Sequence, residues 1–480
     1  MFRCALFSLL LLAGIAGAKT LEVGPGKAVA SLAEAYAKAE KGDIIKVYPL
    51  RNDAPYERVA ILVGKPGITF LGVPDKSGTR VKISGKGFNY TGQAPTPRAI
   101  FQFDPGAEGC VLEGFELCFA HNDSHNGAGV RINQANHITV RNCEVHHNDM
   151  GTQSNGPIGS AVDQLFEYCL YHHNGDPGEA GQNHNFYLGG TSVTLRGCEV
   201  HSPITGHNFK SRAHFNWIEF CYIHDSLNRE FDLVDSSETA VPDSHTVLLG
   251  NIIVKDPNSA NHDVIHFGQD GGKEHNGAIY LIHNTILATT RAMLLDLSAP
   301  KASARLIGNV IDGGGTLINA RNGADARSVT VEDNWLGAGF AGSAATSRGN
   351  TFGKPGARIE FTGRTDFRIQ HPPHGIIGGG QDEDSWGLPV PPYPSLAKAG
   401  SGISRTSGAG SRSTVVGGPP PLKPLKPPSV QPDAGASAGA NLLVWQYQDP
   451  ARREPRAFAA KPDLGATDQT HKPTVAASLY

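Results

Sequence analysis

Past its first eighteen residues the 480-residue chain has no apolar stretch long enough to span a membrane. It also lacks a basic tract. Its 42 Lys and Arg and 45 Asp and Glu are interspersed, for a net charge of −3, which argues against nucleic acid as the main partner. There is no Cys-x-x-Cys pair, so a zinc site built of cysteines is not expected. Aromatics are scarce, and only one short segment carries a helical period. What is abundant is glycine, 58 residues of it, which suits a fold of turns and short strands.

Met1 to Ala18 reads as a secretory signal: Arg3 gives the positive start, Ala5 to Ile15 the apolar core, and Ala16-Gly17-Ala18 the cleavage site. No cysteine follows that site, so a lipid anchor is not expected, and the mature protein is expected in the periplasm or outside the cell. Cys4 leaves with the signal and six cysteines remain. An even count in an exported protein suggests disulfides. Four of the six share one repeat position, however, which favours buried thiols, and Cys110 with Cys118 stays open as a pair.

That repeat position decides the fold. Val140-Arg141-Asn142-Cys143-Glu144-Val145-His146 returns around Cys169, Cys198 and Cys221, then around Asn251, Asn284, Asn309 and Asn334, with Phe115 in an earlier copy. The steps between these positions are 28, 26, 29, 23, 30, 33, 25 and 25 residues. A short apolar and β-branched phrase at such a period is the signature of a solenoid whose coils bury themselves only against their neighbours. The expectation is an all-β, right-handed parallel β-helix with one coil per repeat. Coils stack about 4.8 Å apart, so like side chains lie on like: asparagines can bond along a ladder, and cysteines fill it as small apolar groups.

Ser31-Leu32-Ala33-Glu34 is a capping box, and Leu32, Ala35, Tyr36 and Ala39 follow at helical spacing, with Gly42 as the stop. An open solenoid end exposes core and strand edge, so this helix is read as an N-terminal cap. Ile44 to Tyr48, Val59 to Val63 and Ile68 to Val73 read as first strands. The expected β-helix domain is 19–379. Beyond it, 380–480 is rich in Pro, Gly and Ser and is expected to be a disordered tail.

Each coil has a further strand after the Cys/Asn phrase, and period-two alternation sorts its side chains. Phe186, Leu188, Phe209, Ser211, Phe231, Leu233, Ile265 and Phe267 go inward. Arg131, Gln153, Tyr187, Lys210, Asp232 and His266 then form one outward column. Asn185, Asn208 and Glu230 flank it on one side and Arg212 on the other, with His184 and His207 at the rim. His146-His147 and His172-His173 recur at equivalent positions and read as turn residues rather than metal ligands. Parallel β-helices with an exposed polar groove typically bind an extended polysaccharide along the stacked strands, and this column would line such a groove. Cleaving a uronate chain by β-elimination needs a base for the C5 proton, a cation for the carboxylate and an acid for the leaving oxygen. Lys210 suits the base if positive charge lies nearby: Arg212 would help, whereas Asp232 would oppose.

The run Asn208-Phe209-Lys210-Ser211-Arg212, leading into Asn216-Trp217-Ile218-Glu219-Phe220-Cys221-Tyr222-Ile223-His224, resembles the Lys-Ser segment and next strand of the alginate lyase and chondroitinase B family, within the pectate-lyase-like superfamily. The resemblance implies a polysaccharide lyase with Lys210 as base. On the column's own reading Arg212 is its expected catalytic companion, and Arg131, His184, Tyr187, His207, Asp232 and His266 are the expected substrate contacts. Two departures stand out. Arg229-Glu230-Phe231-Asp232 replaces the family's Arg-His acid pair, and His184 to Gly190 replaces its glutamate-bearing calcium segment. If calcium is used here, Glu230, Asp232 and Asp235 are the oxygen ligands to consider. The expected partner is an anionic polysaccharide, with neither nucleic acid nor membrane bound, and the expected state is a monomer. Three other functions stay open: a C5-epimerase using the same proton abstraction, a non-catalytic carbohydrate-binding or surface β-helix, and, third, a glycoside hydrolase, which would need a close carboxylate pair.

Overall fold

The computed structural model describes residues 17–179, 182–341, 346–361, 388–389, 444–446 and 454–456. Most of the expected signal and of the 380–480 segment lies outside the described residues. Within that segment, Val444–Gln446 pairs antiparallel with Glu454–Arg456.

Three parallel sheets of 13, 12 and 11 strands run the length of a β-solenoid, each strand hydrogen-bonded to its equivalents one coil earlier and later. One coil shows the plan. Ser192–Arg196 belongs to the 13-stranded sheet, Glu199–His201 to the 12-stranded sheet and Phe209–Ser211 to the 11-stranded sheet, after which Phe215–Glu219 rejoins the first. The repeated phrase is therefore two strands and a corner, not one strand. The residue before each Cys or Asn has a left-handed backbone: Asn142, Tyr168, Gly197, Phe220, Gly250, His283, Gly308 and Asp333 all have φ between +52° and +66°. One such residue turns the chain sharply, and glycine takes that conformation without the Cβ penalty.

The corner side chain points inward. Asn251 Nδ2 donates to Asn284 Oδ1 at 3.0 Å, Asn284 to Asn309 at 3.0 Å and Asn309 to Asn334 at 2.8 Å. Asn350 takes the last step at 3.0 Å, a rung the sequence period did not reveal. Each of these Oδ1 atoms also accepts the preceding asparagine's backbone N–H, so one residue type satisfies both its own amide and the corner. The six cysteines among the described residues are free and buried, so Cys110 and Cys118 are not bridged. Phe186, Phe209 and Phe231 stack inside with centroids 6.0 and 5.8 Å apart, in one core that runs from coil to coil.

The helix is Leu32–Lys38, buried through Leu32 and Ala35, and Ser31 Oγ accepts the Glu34 N–H at 3.2 Å. It stops at Ala39 rather than at Gly42, because Lys65 Nζ donates to the carbonyls of Tyr36, Ala37 and Ala39 and so caps the C-terminus with a cation. After the last coil strand, Thr351–Phe352, the chain turns back along the outside. Ile359 packs on Val310 and Trp335, and Phe361 on Tyr222, Ile252 and Val254. Leu388 packs on the cluster of Phe220, Val247 and Ile282, so packing extends past the composition break at 380. No helix among the described residues is long and apolar enough to cross a membrane.

Candidate active site

The 11-stranded sheet aligns the column in register. Arg131 pairs with Gln153, Gln153 with Tyr187, Tyr187 with Lys210, Lys210 with Asp232 and Asp232 with His266. The file continues through Asp296 to Asn319, two members reached by carrying the same alternation two coils further. Asp232 is the hub. Its Oδ2 lies 2.5 Å from Lys210 Nζ and 3.2 Å from His207 Nε2; its Oδ1 lies 3.0 Å from Arg229 Nη1 and 2.9 Å from His266 Nδ1. His266 passes the chain to Ser298 Oγ at 2.7 Å, and Asp296 accepts from both Arg321 and Asn319.

The column faces outward, as alternation requires, but its centre is not solvated. Lys210 is 8%, Asp232 1% and His266 2% exposed. Burial alone would push the Asp232 carboxyl up. The hydrogen bonds from His207 and His266 and the charge of Lys210 outweigh it and hold that carboxyl well below the usual range. His184, also buried, stacks on His207 at 5.1 Å and accepts the His207 backbone N–H on Nδ1. Burial, then the neighbouring His207 ring and the charge of Lys210, holds its ring well below the ordinary histidine range. His207 Nδ1 likewise accepts the Arg229 backbone N–H at 3.2 Å, which leaves Nε2 to donate to Asp232.

A second carboxylate reaches the lysine from outside the column. Asp270 Oδ2 is 3.2 Å from Lys210 Nζ and 2.8 Å from Arg212 Nη2, and its side chain is 44% exposed. Arg212 also donates through Nε to the Tyr187 hydroxyl at 3.0 Å. Asp235 holds the segment carrying Asp270 in place. Its Oδ1 accepts the N–H groups of Asp270 and Gly271, both at 2.6 Å, and its Oδ2 that of Lys273. Beside Asp270 opens a cleft of about 410 Å³ lined by Arg229, His266, Gln269, Arg321 and Asn322.

Three sequence expectations change here. Asn185, Asn208 and Glu230 do not flank the column on the outer face. They lie in the turn before each strand, where alternation does not operate, and they extend an inner ladder. Asn148, Asn174, Asn185 and Asn208 bond in series, and Asn208 Nδ2 donates to Glu230 Oε2 at 2.5 Å. Glu230 ends the ladder against Lys255, 3.8 Å away; both side chains are fully buried, and burial pushes the Glu230 carboxyl up to about 7 and the Lys255 ammonium down. Of the three oxygen ligands considered for calcium, Glu230 is sealed in the ladder, Asp232 takes four donors and Asp235 accepts backbone amides. Arg131 stands two coils before Tyr187, engaged with Gln153 and Asn155, and is not part of the Lys210 cluster. Conversely, Asp270, Arg229 and Arg321 were not found as site residues. They sit off the period-two file and reach it only through the folded loops.

No family model matches the chain, and no curated protein matches it. Among solved structures it is similar to the pectate lyase Pel9A, with 15% identity, 78% of this chain and 94% of that chain covered and a TM-score of 0.47. It is also similar to an alginate lyase from Paenibacillus sp. str. FPU-7, with 14% identity, 70% and 98% covered and a TM-score of 0.41. A further likeness is to the pectin methylesterase PemA from Erwinia chrysanthemi, with 8% identity, 70% and 93% covered and a TM-score of 0.23.

Proposed function

We propose that this protein is exported and cleaves a uronate-containing polysaccharide by β-elimination, with Lys210 as the base. One observation carries the reading: Lys210 and Arg212 already share a half-exposed carboxylate, that of Asp270, at the edge of an open cleft with arginines in its wall. A uronate carboxylate entering that cleft would take Asp270's place on Arg212, a bidentate group suited to it. The exchange also frees one of the two ion-pair partners of Lys210 Nζ. Lys210, once its ammonium has released a proton to solvent, accepts the C5 proton on the neutral amine; the C4–O bond breaks as the C4=C5 double bond forms, and the leaving oxygen takes a proton from the Tyr187 hydroxyl, which Arg212 orients. Asp232 is a positioning residue, fixing Nζ from below. Calcium has no part in this scheme.

The test is a panel of uronans (alginates, polygalacturonate, glycosaminoglycans) followed by the ultraviolet absorbance of unsaturated ends. Lys210→Ala should lose about 10²–10⁴-fold in turnover. Lys210→Arg should fail as well, since guanidinium stays protonated. Full activity in Lys210→Ala rejects the mechanism. Solvent-hydrogen exchange at C5 without chain cleavage would make the protein an epimerase, and binding without either reaction would make it a carbohydrate-binding module.

A further inference from the structure

On the outer face of the 12-stranded sheet, away from Lys210, four histidines from consecutive coils lie in register: His146, His172, His201 and His224. Their rings stack at 4.9, 5.2 and 4.7 Å, within 13° of parallel. A second file, two residues earlier on each strand, supplies a glutamate from the preceding coil. His146 Nε2 meets Glu116 at 3.0 Å, His172 meets Glu144 at 3.2 Å and His224 meets Glu199 at 3.3 Å. His201 breaks the pattern, because the position that would carry its glutamate is Leu170.

We infer that Glu199, His201 and His224 form a site for a divalent transition-metal ion of the zinc class, joining two successive coils. Each of the three offers a ligand atom within 4.8 Å of the other two, and a modest side-chain rotation brings such atoms to the roughly 3.3 Å separation that ligand bonds of about 2.0–2.2 Å require. The hydrogen bonding favours a cation there. His224 Nδ1 lies 2.8 Å from Asp225 Oδ2 while Nε2 faces Glu199 Oε1. A neutral imidazole has one N–H, so one carboxylate meets a lone pair unless the ring takes a second proton or a cation sits between. A metal ion on Nε2 resolves that conflict, with Asp225 as the orienting carboxylate behind the ring. His201 Nδ1 is held by Ser202 Oγ at 3.0 Å, which turns its Nε2 toward the same side. Two imidazoles and one carboxylate suit zinc rather than calcium, and partial exposure of Glu199 leaves room for water as a fourth ligand. The rival cluster, Glu116, Cys118 and His146, is less open to an ion: Lys82 occupies Glu116 at 2.9 Å, and the Cys118 thiol is buried and pushed up to about 12.

The experiment is titration of untagged, chelator-stripped protein with Zn²⁺ by calorimetry, with thermal melting alongside. We expect one equivalent bound and a higher melting temperature, neither given by Ca²⁺. His201→Gln and His224→Gln should abolish both responses while melting like the metal-free wild type, and Asp225→Asn should weaken binding about 10–100-fold. His146→Gln should bind as wild type. Absence of stoichiometric zinc binding overturns the site and leaves His224 as an imidazolium between two carboxylates. Binding that survives both His201→Gln and His224→Gln, or that is lost in Cys118→Ser, overturns it too.

Discussion

Two files of polar side chains run along this solenoid, and they are built on opposite rules. At the corner, Asn251, Asn284, Asn309, Asn334 and Asn350 repeat one residue, and each rung satisfies the next through an identical pair of bonds. On the 11-stranded sheet, Tyr187, Lys210, Asp232, His266 and Asp296 change residue at every coil, and the rungs are satisfied by charge complementarity and by groups from loops. Repetition suffices when the task is to close buried backbone groups at every coil. Variation costs that economy, because each charge needs its own partner at its own place. A run of unlike ionisable groups, buried and mutually paired, is more than closing the coils requires.

The largest effect that would break the comparison is at Asp232. Four donors converge on its carboxylate, two of them from permanent or ammonium cations. Asp232→Ala should cost about 3–5 kcal/mol in denaturant unfolding, the usual penalty for orphaning buried charge. The file is coupled pairwise, so the same change in a Lys210→Met background should cost clearly less, giving a measurable interaction energy in a double-mutant cycle. Additive losses would mean that Lys210 and Asp232 are not partners in solution.

The ladder should respond to chemistry of a different kind. Asn284→Leu removes the acceptor of the Asn251 backbone N–H and side-chain amide, and the donor to the Leu248 carbonyl, for a loss of about 2–4 kcal/mol. Asn284→Cys should cost less. The earlier coils put cysteine at this corner, and there the Cys198 N–H is accepted by Cys221 Sγ at 3.4 Å. Neither variant should alter turnover per folded molecule. Equal destabilisation by leucine and cysteine would show that volume, not hydrogen bonding, governs the corner.

These contrasts explain what could be read from the chain. The coil period was legible because one corner position recurs with one chemistry, and the column because strict alternation holds along Phe186–Leu188, Phe209–Ser211 and Phe231–Val234. Alternation carried one residue beyond the strand start misplaced Asn185, Asn208 and Glu230, which belong to the turn and point inward. The burial of Lys210, Asp232 and His266 was not legible at all. Their cover comes from Arg229, Asp270 and Arg321, and Asp270 is held in place by Asp235, 35 residues earlier. Periodicity carries no information about a contact that spans one irregular loop.

The smallest effect separates the two files by acid. The corner ladder from Asn251 to Asn350 is built of asparagines, which do not titrate, whereas the column and its backing contain buried histidines held neutral. Burial, only partly offset by the charge of Asp235, brings His275, packed on Phe267 at 4.0 Å, down to about 3, and burial with the neighbouring His207 ring and the charge of Lys210 holds His184 well below its usual value. A folded value below the unfolded one of about 6.5 means the unfolded chain binds the proton first. The stabilisation is therefore whole above pH 6.5 and is lost progressively as the pH falls toward the folded value. For His275 that amounts to about 1–2 kcal/mol by pH 5. Hydrogen exchange at pH 7.5 and pH 5 should show the coil of His275 losing protection on acidification, the coil of Glu230 being offset by its raised carboxyl, which works in the opposite sense, while those around Asn284, Asn309 and Asn334 keep theirs. His275→Gln should blunt the loss in its own coil. If protection fell equally along the whole solenoid, the coils would open as one unit, and the two files would differ in chemistry without differing in local stability.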